Sequence, residues 1–136
     1  MKAPDKISAR AHEITADFLR EVDKHLFDIV EERATEMFEV RDFAEILHIH
    51  PRHLTDTIKA LTGNSPCYYF ERKILAIAKG MLEKNELPIK AIAMLLTYDP
   101  SNFTKFFKRF TGKTPNQYRQ EFLATHYLDE TVLFTI

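Results

Sequence analysis

Polar side chains recur in two rows along this 136-residue sequence, at an offset of 49 residues: Arg52, Thr55, Asp56 and Lys59, then Ser101, Thr104, Lys105 and Lys108. Spacings of three and four residues place each row on one face of a helix, with Asn102 beside the second row. Guanidinium, ammonium, hydroxyl, amide and carboxylate groups so arranged can donate to, or accept from, base edges and phosphate oxygens. The expected base contacts are Arg52, Thr55, Asp56, Ser101, Asn102, Thr104 and Lys105. The expected phosphate contacts are Lys59, Lys108, Arg109, Lys113 and Arg119, together with Asn116 and Gln117, whose N–H groups sit at a helix start where an anion is favoured.

Other chemistry is poorly supported. Of the six histidines, His48, His50 and His53 are the closest set, but the first two fall at a turn and the third inside a helix, with no cysteine nearby. Their counterparts at the repeat offset are Thr97, Asp99 and Asn102, so no metal site is expected, and His53 is as well suited to phosphate. Cys67 lies just inside a helix start, where a thiolate is favoured, yet no histidine is placed to act with it. The three glycines act as helix stops or lie within a helix and leave no phosphate-cradling loop. No catalytic residue, enzyme activity or cofactor is expected.

Composition sets the frame that must hold these rows. Hydrophobic residues make up 45% of the chain and charged residues 29%, as in a soluble globular protein of one domain or two very small ones. Three glycines are too few for a fold rich in hairpin turns, which points to an all-α protein. The single cysteine excludes an internal disulfide framework and suits a reducing, cytoplasmic compartment. The longest uncharged stretch, between Lys59 and Glu71, is eleven residues, and that between Lys90 and Asp99 is eight, far short of the ~20 that a membrane span needs, so no membrane partner is expected. Net charge is −1, but it is unevenly distributed. Residues 1–36 hold six Lys/Arg and nine Asp/Glu, residues 37–119 thirteen and eight, and residues 120–136 none and three. A basic middle lies between acidic ends.

The offset is a true internal repeat. Residues 40–70 align without a gap on residues 89–119, with nine identical pairs, among them Pro51/Pro100, Lys59/Lys108, Gly63/Gly112, Pro66/Pro115 and Tyr69/Tyr118. Ordinary residue frequencies give about two. Each copy reads as a short helix, a tight turn and a second helix. In the first copy Phe43, Ala44, Ile46 and Leu47 form one apolar face. His50-Pro51 then opens a helix with an inner face of Leu54, Ile58 and Leu61, Gly63 ends it, and Ser65-Pro66 opens the next. Asp99-Pro100, Gly112 and Thr114-Pro115 repeat this punctuation. A helix over about 66–84 joins the copies through a stripe of Tyr69, Ile74, Ile77, Ala78, Met81 and Leu82. Another helix of about 20 residues precedes them through Ile14, Phe18, Val22, Leu26, Ile29 and Val30. The expected organisation is a frayed or disordered 1–13, a first part over 14–85, a second over 86–126 and a tail over 127–136 that packs, frays or contacts another molecule.

With these residues in place, the sequence resembles the AraC/XylS family of bacterial transcription regulators, whose DNA-binding domain is two helix-turn-helix units joined by a long helix. The resemblance covers about residues 18–119 and is strongest over 99–119, where Asp99-Pro100-Ser101, Phe107-Lys108, Gly112, Thr114-Pro115 and Tyr118-Arg119 match the family's second unit. Phe43-Ala44, His50-Pro51, Leu54, Lys59, Gly63 and Ser65-Pro66 match the first. The chain departs from the pattern where the usual turn glycine is His48 or Thr97, where the second turn is one residue short, where Ile74 replaces a linker-helix arginine and where Asp56 replaces Arg or Gln. No cupin-like effector region accompanies these residues, so the chain reads as a stand-alone member or as the C-terminal part of a longer regulator. The resemblance implies a regulator that binds double-stranded DNA as a monomer, reads two adjacent major-groove segments and works with RNA polymerase. The alternative is a helical adaptor that meets RNA polymerase or another regulator through its acidic first helix, with weak or no DNA binding.

Overall fold

The computed structural model describes the backbone of residues 2–135 and the side chains of residues 9–126. Among the described residues there are seven helices and no strand: α1 (Lys2–Val30), α2 (Val40–Ile46), α3 (Pro51–Thr62), α4 (Pro66–Lys84), α5 (Ile89–Leu95), α6 (Pro100–Thr111) and α7 (Pro115–Thr135). The all-α expectation holds. α1 starts well before Ile14, because Ala3, Ala9 and Ala11 with long charged neighbours favour helix and Pro4 falls in the first turn, where it is tolerated. Ile14 marks the start of the buried stripe rather than of the helix. The expected fate of the 131–136 tail concerns side chains outside the described residues.

Two compact units, residues 1–74 and 75–136, divide within α4. In the first, Ile14, Phe18, Val22, Leu26 and Ile29 of α1 are buried, as are Phe43 and Ala44 of α2, Leu54 and Ile58 of α3, and Phe70 and Ile74 of α4. Phe43 is the hub, edge-on to Phe18 at 5.5 Å and to Phe70 at 5.2 Å. Ile46, expected in the apolar face of α2, is 42% exposed instead, since a two-turn helix buries a narrower stripe than its apolar residues could cover. The inward stripe of α4 likewise falls on Phe70, Ile74, Leu75, Ala78 and Leu82, and Tyr69, Ile77 and Met81 are only half-buried.

His25 is buried beneath this cluster, stacked on Phe38 at 3.8 Å, and its Nε2 accepts the Phe38 N–H at 2.9 Å. An accepting Nε2 requires the neutral ring, and burial holds its pKa below the usual 6.5 against the opposing pull of Asp28 and Asp42. A lowered histidine pKa means that the unfolded chain binds more protons than the folded one below about 6.5, the unfolded value. Its contribution is therefore fully present above that pH and is lost as pH falls toward the depressed folded value. Unfolding free energy measured between pH 7.5 and 5 should fall more steeply for wild type than for His25→Gln, whose amide oxygen can accept the same N–H. Equal slopes would exclude His25 as the source.

The second unit buries Ile92, Ala93 and Leu96 with Phe103, Phe106 and Phe107 of α6. Here the turn chemistry repeats closely. The His48 and Ile49 N–H groups donate to Glu45 and Ala44 carbonyls at 3.1 and 3.0 Å, and those of Thr97 and Tyr98 to Met94 and Ala93 at 3.0 and 2.8 Å. Each is a Schellman ending that needs one left-handed residue. His48 (φ 58°) and Thr97 (φ 68°) supply it without glycine. Four residues separate the helices in both copies, 47–50 and 96–99, so the second turn is no tighter than the first. A β-branched residue in this conformation is strained by about 1–2 kcal/mol, partly offset in a glycine replacement by about 0.5–1 kcal/mol of chain entropy. Thr97→Gly should thus raise stability by about 0.5–1 kcal/mol in denaturant melts, and a loss of stability would contradict the strain.

Candidate nucleic-acid interface

The helices that carry the two polar rows are built from the same parts. α3 begins at Pro51, with the His50 Nδ1 accepting the Arg52 N–H at 3.0 Å. α6 begins at Pro100, with the Asp99 carboxylate accepting the Ser101 N–H at 3.2 Å. The Ser101 hydroxyl also donates to Asp99, at 2.6 Å, and this bond leads the effects that hold the Asp99 carboxyl below its ordinary pKa. Both helices end on a left-handed glycine, Gly63 (φ 84°) and Gly112 (φ 77°), which donates to the Lys59 or Lys108 carbonyl at 2.8 Å. The repeated threonines reinforce this ending: Thr62 donates to Ile58 and Thr111 to Phe107, each at 2.8 Å, and the hydroxyls accept the Asn64 and Lys113 N–H groups, each at 3.1 Å.

With Leu54 and Ile58 buried, α3 turns Arg52, His53, Asp56 and Lys59 to solvent, and Thr55 is half-buried at the edge of that face. With Phe103 and Phe107 buried, α6 turns out Ser101, Asn102, Lys105, Lys108 and Arg109, and Thr104 is half-buried. The expected base-contact residues therefore share an outward face within each helix. Thr104 is already engaged, its hydroxyl donating to the Pro100 carbonyl at 3.2 Å, and from the phosphate set the Arg109 guanidinium lies over the Phe110 ring at 4.8 Å.

The phosphate set needs correction at its C-terminal end. Arg119 is only 7% exposed, its Nε donating to the Leu82 carbonyl at 3.0 Å and a terminal nitrogen to Met81 at 3.4 Å. Those carbonyls belong to the last turn of α4, which lacks intrahelical donors, so Arg119 caps a helix and is withdrawn from solvent. Tyr118 beside it donates to the Glu83 carboxylate at 2.5 Å. Burial, together with that carboxylate, pushes the phenol up to about 12. Gln117 is also spent: its N–H donates to the Thr114 hydroxyl at 3.1 Å and its side-chain oxygen accepts the Thr114 N–H at 2.9 Å, a reciprocal cap that opens α7. Asn116 remains exposed in that first turn, and Lys113 lies 3.1 Å from Glu121 on the surface.

Two exposed groups on the first unit lie outside the base and phosphate sets expected from sequence. His53, weighed there as a metal ligand and as a phosphate partner, stands 3.5 Å from the Thr57 hydroxyl through Nδ1, and Arg72 reaches over the Tyr68 ring at 5.5 Å. His53 is legible as the residue next to Arg52 on the outward face, whereas Arg72 falls past the end of the repeat and gives no such signal. Among the described residues no group of three or more His, Cys, Asp and Glu is placed to hold a metal ion, and no helix is long and apolar enough to cross a membrane.

A family of helix-turn-helix domains matches residues 43–121, which contain both turns and both outward-facing helices. The HTH-type transcriptional regulator YobQ of Bacillus subtilis is 36% identical over 99 residues, covering 72% of this chain and 38% of its own length. Another Bacillus subtilis regulator has 15% of its length matched, so the chain spans well under half of these relatives. The C-terminal domain of AraT, a response regulator from Geobacillus stearothermophilus, shares the fold with TM-score 0.61 at 30% identity, covering 74% of this chain and 84% of that one. The DNA-binding domain of the transcriptional factor AdpA, solved with a target DNA, gives TM-score 0.64 at 24% identity and covers 80% and 96%. A repeated helix-turn-helix with matching turns, caps and fold across this span has one assignment: the chain belongs to the helix-turn-helix domain family of AraC type.

Proposed function

We propose that the protein is a transcription regulator that binds double-stranded DNA sequence-specifically, with α3 and α6 as its two recognition helices. The observation that carries this reading is that each helix is capped at both ends and buries one apolar face, leaving a continuous row of hydrogen-bonding side chains outward. A rigid helix whose N-terminal half offers polar side chains is what the major groove admits and reads. In this reading Arg52, Thr55, Asp56, Ser101, Asn102, Thr104 and Lys105 meet bases. Lys59, Lys108, Arg109, Lys113 and the Asn116 N–H meet phosphate. The similarity to transcription regulators supports transcription as the setting, and we propose RNA polymerase as a further partner and a cytoplasmic location.

Two recognition helices in one chain call for two major-groove segments about 10 to 10.5 bp apart, bound by a monomer. Nuclease footprinting on a duplex selected from genomic DNA should show protection over roughly 20 bp with one protein per site. Protection confined to one turn would remove one unit from the interface, and no retention of any duplex would favour the adaptor reading.

A further inference from the structure

The arrangement on α3 names a base, and the inference rests on the DNA-binding reading above. Arg52 is the second residue of α3, and its Nε lies 4.0 Å from the Asp56 carboxylate one turn further on. Their side chains are 86% and 72% exposed, on the face opposite the buried Leu54 and Ile58. Folding gains little from this pair. Exposed ion pairs contribute weakly, a cation ahead of an acid is the poorer order on a helix, and a cation in the first turn opposes the helix dipole. The second unit does not repeat it: the corresponding residues are Ser101, whose hydroxyl is held by Asp99, and Lys105.

We propose that Asp56 positions Arg52 to read guanine, so that the first recognition helix selects a G·C pair. A carboxylate at the Nε side of the guanidinium leaves the outer edge of the fork, with its parallel N–H groups, for another acceptor pair. That edge matches O6 and N7 of guanine, the acceptor pair unique to that base in the major groove. An arginine alone is a flexible cation that meets a phosphate as readily as a base. Asp56 narrows its orientations and, being negative, disfavours a phosphate oxygen at the same place. The second carboxylate oxygen remains able to accept from the N4 amino group of a cytosine. Asp56 is thus a positioning residue whose effect is on base choice, at some loss of affinity for DNA of any sequence.

The test uses the full chain and a random-sequence duplex library. Affinities are then measured on the enriched duplex and on its single-base-pair replacements for wild type, Arg52→Lys, Asp56→Asn and the double variant, with melting curves to confirm folding. Wild type should prefer guanine at one position by about tenfold or more, as a bidentate contact supplies. Arg52→Lys should abolish that preference. Asp56→Asn should reduce it severalfold while tightening binding to an unrelated duplex, and the double variant should be no less selective than Arg52→Lys, because the two residues act as a unit. Full guanine preference in Asp56→Asn, or independent effects that multiply in the double variant, would overturn the assignment. Enrichment without any guanine position sensitive to Arg52 would do the same and leave DNA binding standing. Failure of wild type to enrich any sequence would overturn the DNA-binding reading as well.

Discussion

Replacing Lys105 and Lys108 together by alanine is expected to weaken binding to DNA about a hundredfold, roughly tenfold for each charge-assisted contact removed. The same pair of changes at Arg52 and Lys59 should cost less. Residues 89–119 carry six Lys/Arg against one acid, whereas residues 40–70 carry three of each. On α6 both lysines are exposed and project from the same outward face, while on α3 Asp56 lies within reach of the Arg52 guanidinium. In the proposed complex the second unit is therefore expected to act as the electrostatic anchor. A phosphate contact also reports itself through salt, since each phosphate neutralised contributes a slope of about −0.9 to log affinity against log salt. Lys108→Ala should make that slope shallower by about 1 and weaken all duplexes alike, whereas Lys105→Ala should act more on the selected duplex than on a scrambled one. Titrations at four salt concentrations decide it. A larger loss from the first-unit pair, or a slope unmoved by Lys108→Ala, would contradict the anchor.

Arg119→Ala should lower the stability of the second unit by about 1.5–3 kcal/mol, the range for hydrogen bonds made by a charged group. The guanidinium closes the end of α4 through the Leu82 and Met81 carbonyls, and its removal leaves those acceptors in the space Arg119 occupied. Arg119→Lys should recover only part of this, since an ammonium lacks the planar fork that spans two carbonyls. The discriminating measurement is the salt slope of the folded variant. A capping arginine leaves it unchanged, whereas a phosphate ligand would make it shallower by about 1. A shallower slope with unaltered melting would return Arg119 to the DNA interface.

How far these residues could be read in advance depends on the range of the interactions that place them. The bounds of α3 and α6 were legible because Pro51, Pro100, Gly63 and Gly112 act through their own backbone, which lacks an N–H or tolerates a left-handed turn. The outward rows follow from the 3.6-residue period opposite the inner face of Leu54 and Ile58 and of their repeat counterparts Phe103 and Phe107. The sequence also gave grounds to expect that His48 and Thr97 stand at turns, but their positive φ angles come from the Schellman bonds that close α2 and α5.

Arg119 and Lys113 are both cations of the second copy, six residues apart, and their charge alone gives them the same expected role. Packing separates them: α7 brings Arg119 against the open end of α4 and leaves Lys113 on the surface beside Glu121. The same holds for Phe70, whose repeat counterpart is Arg119. One copy places a ring against Phe43 where the other places a helix cap, because different neighbours surround the same position. By itself the sequence determined the repeat, the bounds of α3 and α6, their outward faces and their charge, since each depends on residues within a few turns of one another. Which of the cations on the second copy remain available to a partner was decided by tertiary structure, since that depends on which carbonyls and carboxylates other helices bring within 3–4 Å of each.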